Sequence, residues 1–167
     1  PRPALLEWRG ELSSTLFGTR RFSRADVHDA EGELDAMIGA TMSARDYLAL
    51  VCKEIQRLDP AEVEKVSELI EKAYDEGRFV FIIGNGGSGA NASHLCEDLA
   101  KCTLCDFENQ KRLKVLSLTD NTAGIMAWAN DEGYDRIFLE QLKNLSSPGD
   151  LLLAISGSGN SPNILKA

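Results

Sequence analysis

The stretch Phe79-Val-Phe-Ile-Ile-Gly84-Asn-Gly-Gly-Ser-Gly89 decides the fold class. Its first five residues are a continuous apolar run, which is typical of a strand covered on both faces, as in a parallel sheet. The glycines that follow allow the backbone to turn sharply and to come close to a ligand. A helix predicted from about Ala90 to Lys101 would then direct its free N–H groups and the positive end of its dipole towards that loop. The stretch therefore predicts the first strand-loop-helix unit of an α/β protein.

Helical and strand patterns alternate on both sides of this unit. After it, the predicted elements are strands at 113–118 and 151–155 and helices at 122–130 and 134–145. Before it, one helix is predicted to begin after a capping sequence at Ser43, and a second begins after Asp59 and ends at Gly77. Such alternation predicts a doubly wound parallel α/β sheet preceded by two helices.

The first 42 residues differ from the rest, because they carry scattered Arg, Gly and Ser with only weak periodicity. A short helix is predicted at 30–38, and the role of the segment is unknown. We therefore divide the chain into an N-terminal extension, residues 1–42, and one α/β domain, residues 43–167.

Composition narrows the range of partners. The chain has 167 residues, a net charge of -8 and a pI of about 4.8. A field of that sign repels phosphate backbones at long range, so we expect no nucleic-acid partner, although a small phosphorylated ligand held by local groups remains compatible. No apolar run reaches the ~18 residues of a membrane span, and the N-terminus lacks an apolar leader. We expect no membrane partner and a cytoplasmic location.

Four cysteines are present, and Cys102 and Cys105 form a CxxC pair. A structural zinc site usually needs a second such pair or two histidines nearby, and the chain has only His28 and His94. We therefore predict free thiols, buried or half-exposed near a helix end, rather than a metal site at this pair.

A second polar loop, Ser156-Gly-Ser-Gly-Asn-Ser161, follows the third predicted strand. Open α/β sheets bind ligands at the carboxyl ends of their strands, where both loops are expected. Ser156, Ser158 and Ser161 offer hydroxyls, and Ser161 is also predicted to cap the helix that begins at Pro162. Together with Asn85 and Ser88 of the first loop, these groups predict a phosphate site built without lysine or arginine.

Other interpretations of the first loop remain open at this point. The spacing Gly84-x-Gly86-x-x-Gly89 matches a dinucleotide-binding fingerprint, but Asp120 lies 31 residues past Gly89, against the roughly 20 expected for its ribose-binding acid. A P-loop is excluded because no lysine follows the glycines. Both loops could also be ordinary turn-rich connections.

The predicted helix after the first loop carries Asn91, His94 and Asp98 on one face, because spacings of three and four residues return to the same side. A histidine and a carboxylate one turn apart can form an acid/base pair or bind a metal. A solvated ion pair at the helix edge is the plainer explanation, and spacing alone favours it.

Several segments together resemble the sugar isomerase, or SIS, domain family, and they look most like the phosphoheptose isomerases and the DnaA-initiator-associating proteins. The similar segments are Gly84–Ser88, Asn91–Lys101, Leu118–Asp120, Ala129–Tyr134 and Gly149–Ser161. The resemblance covers about residues 43–167. It implies a flavodoxin-like sheet and a homotetramer with sites at subunit interfaces. It also implies conversion of sedoheptulose 7-phosphate to an aldoheptose phosphate by proton transfer through an enediol.

The resemblance also implies roles for particular residues. Substrate contacts fall on Asn85, Gly86, Gly87, Ser88, Asp120, Ser156, Ser158 and Ser161, with the three serines after the third strand gripping the phosphate. The family uses a glutamate and a histidine in catalysis, with zinc in several members. The matching catalytic residues here are His94, Glu97 and Asp98, and the matching metal ligands are His94 and Asp98.

Two departures from the family pattern leave catalysis open. The family's second glutamate of the helix is Asp98 here, and its shorter side chain displaces the carboxylate by about 1 Å, which can cost ~100-fold in rate. The family also continues past the third strand to a C-terminal helix with a glutamine and the catalytic histidine, whereas this sequence ends at Ala167. We therefore expect an apparently truncated sheet whose bare edge is covered by oligomerisation or by the N-terminal segment. The chain is either isomerase-like or a non-catalytic phosphosugar-binding module.

Overall fold

A computed structural model describes residues 42–167. The predicted N-terminal extension, with its short helix at 30–38, therefore lies outside the described residues except for Met42. Within the described part the chain divides into two compact units between Lys65 and Val66.

The unit before residue 66 contains α1, Ala44–Ile55, and the start of α2, Pro60–Glu76. The predicted capping sequence is confirmed, because the Ser43 Oγ accepts a hydrogen bond from the Asp46 N–H at 3.2 Å. At α2 the Asp59 carboxylate accepts from the Ala61 N–H at 2.9 Å. No residue of α1 is buried within the described chain, and its apolar side chains are exposed except for the half-buried Val51.

The end of α2 also follows the prediction. Gly77 has φ 66°, a left-handed conformation that glycine adopts without steric cost. The Gly77 N–H donates to the Tyr74 carbonyl at 3.1 Å, and the Arg78 N–H donates to the Ala73 carbonyl at 2.8 Å. These are the two bonds of a Schellman ending, and they turn the chain into the first strand.

Three parallel strands form the sheet of the described residues: β1, Phe79–Gly84; β2, Lys114–Ser117; and β3, Leu151–Ile155. Their order is β2-β1-β3, with Phe81 opposite Leu116 on one side and opposite Leu152 on the other. The predicted strands are therefore confirmed, and β1 lies in the middle. This order is that of a flavodoxin-like sheet, in which the topological switch point lies between β1 and β3.

The helices differ from the predictions at two places. The observed segments are α3, Gly87–Glu97, with a π-helical turn, Asp98–Cys102; α4, Thr122–Asp131; a 3₁₀ turn, Tyr134–Arg136; α5, Leu139–Leu145; and α6, Pro162–Lys166. The start of α3 precedes the predicted one because Gly86 alone makes the turn out of β1. The single helix predicted at 134–145 is divided, and the residues at the break, Ile137 and Phe138, are both buried.

Both faces of the sheet are covered, as the apolar run of β1 predicts. Phe81 and Ile83 pack on one face with buried residues that include Phe138 and Ile164. Val80 and Ile82 pack on the opposite face with Ala73 of α2 and Ala92 of α3. The chain is therefore a doubly wound α/β domain. No helix of residues 42–167 combines the length and the apolarity needed to cross a membrane.

Candidate functional site

The glycine loop, residues 84–89, connects β1 to α3, and its glycines serve different purposes. Gly86 has φ 53° and stands at the N-cap of α3, so it makes the sharp turn that the sequence predicts. Gly84 and Gly89 instead allow the helix to lie against the strand, since a Cβ at Gly89 would be 3.0 Å from the Gly84 carbonyl oxygen. Gly87 has open space around its Cα, because a Cβ there would meet nothing within 4 Å.

Asn85 bonds to a residue 78 positions away in the chain. Its side-chain amide donates to the Asn163 Oδ1 at 2.8 Å, and the Asn163 amide donates back to the Asn85 Oδ1 at 2.7 Å. The Tyr134 hydroxyl also donates to the Asn85 Oδ1, at 3.1 Å. Asn163 is only 1% exposed, whereas Tyr134 is largely exposed. The Asn85 side chain thus joins the loops that follow β1 and β3.

The serine loop, residues 156–161, follows β3, and its polar groups bond mainly within it. The Ser156 Oγ accepts from the Gly159 N–H at 3.1 Å, and the Ser158 Oγ accepts from the Asn160 N–H at 3.2 Å. Ser161 occupies the N-cap position of α6, as predicted, but its side chain makes no capping bond, so the predicted hydroxyl cap is wrong. Its position is held by backbone bonds from Ile164 and Leu165 to the Ser161 carbonyl.

A cleft of about 270 Å³ lies beside the glycine loop. It is lined by uncharged residues from the glycine loop, α3, the end of β2, α4 and the segment that follows it: Gly84, Asn85, Gly86, Gly89, Ala90, Ser93, Thr119, Ile125, Tyr134, Ile137 and Phe138. The serine loop is not part of this lining. The cleft therefore combines backbone and hydroxyl groups with an apolar wall.

Asp120, at the end of β2, is held close to this cleft. The Ser93 hydroxyl donates a hydrogen bond to the Asp120 carboxylate and shares another with the Thr119 hydroxyl at 2.9 Å. The Thr119 hydroxyl in turn lies 2.5 Å from that of Ser117. This chain of hydroxyls orients an exposed carboxylate at the carboxyl edge of the sheet.

His94, Glu97 and Asp98 form a cluster on the outer side of α3. The His94 Nε2 lies 3.6 Å from the Asp98 Oδ2, and one ligand atom from each of the three lies within 4.8 Å of the others. The His94 side chain is 75% exposed, and Asp98 begins the π-helical turn. The predicted pairing of His94 with Asp98 on one helix face is therefore confirmed, at a solvated position. One nitrogen and two carboxylate donors are a set that zinc accepts.

The cysteines are free, but the prediction that the CxxC thiols are buried or half-exposed is wrong. Cys102 and Cys105 are both exposed, because the π-helical turn and the following loop carry them away from the core. A hydrogen bond with Asp98 raises the pKa of the Cys102 thiol. Burial raises the pKa of Cys96, which packs against the core.

The predicted site residues fall into four groups, of which His94, Glu97 and Asp98 on α3 are one. Asn85, Gly86, Gly87 and Ser88 lie in the glycine loop, Ser156, Ser158 and Ser161 in the serine loop, and Asp120 near the cleft. The sequence reasoning missed Asn163 and Ser93 as site residues, and Tyr134 had entered only as the end of a similar segment. The available signals were slight: Asn163 follows Ser161-Pro162 directly, and Ser93 precedes His94.

Comparison with known proteins shows which family the chain resembles. A sequence profile of the SIS domain matches residues 45–167. A phosphoheptose isomerase from Chlorobaculum parvum is 36% identical over 121 residues, which are 72% of this chain and 57% of that protein. One from Thiobacillus denitrificans is 39% identical over 143 residues, 84% of this chain and 65% of that protein. A probable phosphoheptose isomerase from Thermoplasma acidophilum is 35% identical over 125 residues, 75% of this chain and 67% of that protein.

Solved structures agree with the sequence matches. Phosphoheptose isomerase from Neisseria gonorrhoeae superposes with a TM-score of 0.56 at 25% identity, covering 86% of this chain and 64% of that one. The enzyme from Francisella tularensis gives 0.58 at 25% identity, covering 99% and 68%. The chain spans between 57% and 67% of the length of the three sequence relatives named above. By the profile match over most of its length and by these relatives, the chain belongs to the SIS-domain family.

Proposed function

We propose that this chain carries the sugar-phosphate site of an aldose–ketose isomerase of the phosphoheptose isomerase type, which interconverts sedoheptulose 7-phosphate and D-glycero-D-manno-heptose 7-phosphate. The observation that carries the proposal is the adjacency of β1 and β3, with Gly84 opposite Ile155. The two polar loops therefore begin side by side at the carboxyl edge of the sheet, at the switch point where such sheets bind ligands. The relatives named above support the substrate class.

The phosphate is bound in this proposal by hydroxyls and backbone amides. Ser156, Ser158 and Ser161 supply hydroxyls, and the absence of a capping bond leaves the Ser161 hydroxyl available to a ligand. Gly86 and Gly87 supply backbone N–H groups and Ser88 supplies its hydroxyl, at the start of an eleven-residue helix whose dipole favours an anion. The open space around Gly87 allows a phosphoryl oxygen to approach the backbone.

The sugar is contacted by Asn85 and Asp120 in this proposal. Asn85 lines the cleft, and the Asp120 carboxylate is oriented by the Ser93 hydroxyl, which lines the same cleft. A carboxylate accepts hydrogen bonds from sugar hydroxyls, and the N–H of the Asn85 amide that is not used in the pair with Asn163 can donate to one.

Proton transfer between C1 and C2 is assigned to the cluster on α3. An enediol mechanism needs a base, an acid and a group that polarises the carbonyl. His94, Glu97 and Asp98 bring one imidazole and two carboxylates within reach of one another. We assign proton abstraction to the Asp98 carboxylate and proton return to His94.

Zinc fits the same cluster by the chemistry of its donors. His94 and Asp98 would hold the ion, with Glu97 as a third ligand, because imidazole nitrogens and carboxylate oxygens are among the usual ligands of zinc in proteins. When bound, the ion would polarise the substrate carbonyl.

The proposal also includes assembly into a homo-oligomer, which the family resemblance implies is a tetramer, and a cytoplasmic location. Support for association comes from α1, considered by itself: Tyr47, Leu48 and Ile55 are 57%, 63% and 60% exposed. Apolar side chains spaced along one helix gain stability by packing against another helix. Sedimentation of the protein is expected to show an oligomer, and a compact monomer would contradict this part.

Turnover tests the proposal. The full-length natural protein is incubated with sedoheptulose 7-phosphate, with and without zinc, and aldose formation is followed. We expect turnover that Asp98→Asn reduces by at least about 100-fold, because an amide cannot take up the proton. The matched control, Asp75→Asn at an exposed position of α2, should keep its activity. Sugar-phosphate binding without any turnover would favour the non-catalytic module, and binding of NAD alone would reject both.

A further inference from the structure

We propose that Asn163 is a positioning residue that holds the serine loop at a set distance from the glycine loop. The inference rests on the proposed function, since it concerns how the same sugar-phosphate site is assembled. Asn163 is 1% exposed, so it does not itself contact a ligand in the cleft or on the loop surface. Its side chain ends in the reciprocal pair with Asn85, at 2.8 and 2.7 Å.

The two ends of the serine loop are attached to neighbouring points. At its start, Ile155 pairs with Gly84 at the end of β1. At its end, Asn163 bonds to Asn85, the residue next to Gly84. The hydrogen bonds of Ser156 and Ser158 are made within the loop, so they shape it without attaching it to the sheet. The two ends of the serine loop are therefore attached to consecutive residues of the glycine loop, Gly84 and Asn85.

The pair is well suited to hold this geometry, because each side-chain amide donates one hydrogen bond to the other and accepts one from it. A buried side-chain amide without partners would be costly, which disfavours any arrangement that separates the loops. The Tyr134 hydroxyl gives Asn85 a further donor at 3.1 Å, and this contact limits rotation of the Asn85 side chain. An apolar side chain at position 163 would fill space but would leave Asn85 partly unsatisfied.

A carboxyl group at position 163 would make the hydrogen bonds to Asn85 depend on pH, so that they can be broken and restored by experiment. A protonated carboxyl has a donor and an acceptor, so it reproduces both bonds to Asn85. An ionised carboxylate only accepts, and it places an oxygen against the Asn85 Oδ1. Burial raises the pKa of an introduced carboxyl above its ordinary value of about 4, which brings protonation into a range where the protein can be handled.

The test compares Asn163→Asp with the wild-type protein and with Asn144→Asp, a matched change at an exposed position of α5. Binding of sedoheptulose 7-phosphate is measured by calorimetry at pH 8 and pH 5, and each variant is compared with the wild type at the same pH. We expect Asn163→Asp to bind at least about 10-fold more weakly at pH 8 and to recover to within about threefold at pH 5. Asn144→Asp should match the wild type at both.

The outcomes separate the inference from the function. If the wild type binds the sugar phosphate and Asn163→Asp shows the same ratio to it at both pH values, the positioning role is overturned and the proposed function stands. If the wild-type protein does not bind the sugar phosphate, both the positioning role and the proposed function are refuted. If Asn163→Asp is unfolded at pH 8, two further substitutions decide. The exposed substitution Tyr134→Phe removes one donor to Asn85. Because Tyr134 also lines the cleft, this result is combined with Asn163→Ser, which is uncharged and removes the amide that pairs with Asn85: binding by Asn163→Ser that is about threefold or more weaker supports the role, and unchanged binding overturns it.

Discussion

The backbone of Gly84 lies directly against that of Ser88: a Cβ at Gly84 would stand 2.5 Å from the carbonyl carbon and oxygen of Ser88. Real Cβ atoms do not approach backbone atoms so closely, so Gly84→Ala would force α3 away from β1. We expect it to lower the free energy of unfolding by about 3 kcal/mol, at the upper end of overpacking costs because the clash is with backbone. Urea denaturation followed by circular dichroism measures the change.

Gly87→Ala is the matched control for this prediction. A Cβ at Gly87 meets nothing within 4 Å, and the residue is already helical. The substitution should therefore change stability by no more than ~1 kcal/mol, in the favourable direction expected for alanine in a helix. Equal destabilisation by both substitutions would show that the strand-to-helix contact does not depend on Gly84.

Ser93 and Ser158 should affect ligand binding in different ways. Ser93 orients Asp120, which the proposed function assigns to the sugar, whereas Ser158 lies in the loop assigned to the phosphate. Ser93→Ala should weaken binding of sedoheptulose 7-phosphate about 10-fold, because a hydrogen bond to a charged group such as the Asp120 carboxylate contributes about 1.5–3 kcal/mol. It should leave binding of inorganic phosphate unchanged, because Asp120 is assigned to the sugar. Ser158→Ala should weaken both. Calorimetry with the two ligands measures this, and an equal effect of Ser93→Ala on both would refute the division.

The sheet was predictable from sequence because its signals are local. The apolar run Phe79–Ile83 predicts a strand covered on both faces, and helices packed on both faces are what its alternate residues meet. The helix ends that depend on capping or on Pro and Gly, at Ser43, Asp59 and Gly77, were also predictable. The start of α3 was missed because glycine has low helix propensity, and only the turn at Gly86 allows Gly87 to be helical.

The site was predictable only in part, because its decisive contacts join residues far apart in sequence. Position and residue type placed Asn85 and Ser161 in ligand loops, but nothing local indicates that Asn85 pairs with Asn163, 78 residues later. The π-helical turn was not predictable either. It exposes Cys102, which a constant helical repeat would place on the buried side. Such features depend on tertiary packing rather than on local preference.

The thiol of Cys102 should react slowly with alkylating reagents as long as Asp98 is present. The hydrogen bond with the Asp98 carboxylate favours the protonated thiol and raises its pKa, so less of the reactive thiolate is present. We expect Asp98→Asn to increase the rate of iodoacetamide labelling at Cys102 by at least about twofold at pH 8. Mass spectrometry of the labelled peptide gives the rate, and Cys105 in the same peptide region serves as the internal reference. A rate that stays the same would contradict the pairing.

Glu140 should make folding sensitive to acid. Hydrogen bonds from Lys143, at 3.0 Å, and from Arg136 hold the pKa of its carboxyl below the ordinary value. A carboxyl whose pKa is lowered by folding binds its proton more weakly in the native state. Its stabilising contribution is therefore complete above the ordinary pKa of about 4.3 and is lost as the pH falls through the lower native value.

Lys143→Met tests this relationship, because it removes the ammonium group that donates to Glu140 and keeps a side chain of similar length. The pKa of Glu140, followed by NMR titration of its side-chain carboxyl carbon, should rise towards the ordinary value. The wild type should be more stable than the variant at pH 7, and the difference should shrink below about pH 4 as both carboxyls become protonated. Lys72→Met provides the comparison, because the exposed Lys72 pairs with Glu76 at 3.9 Å on α2 and its loss should leave the Glu140 titration unchanged. A stability difference between wild type and Lys143→Met that persists at pH 2.5 would mean that Lys143 acts through packing rather than through the Glu140 charge.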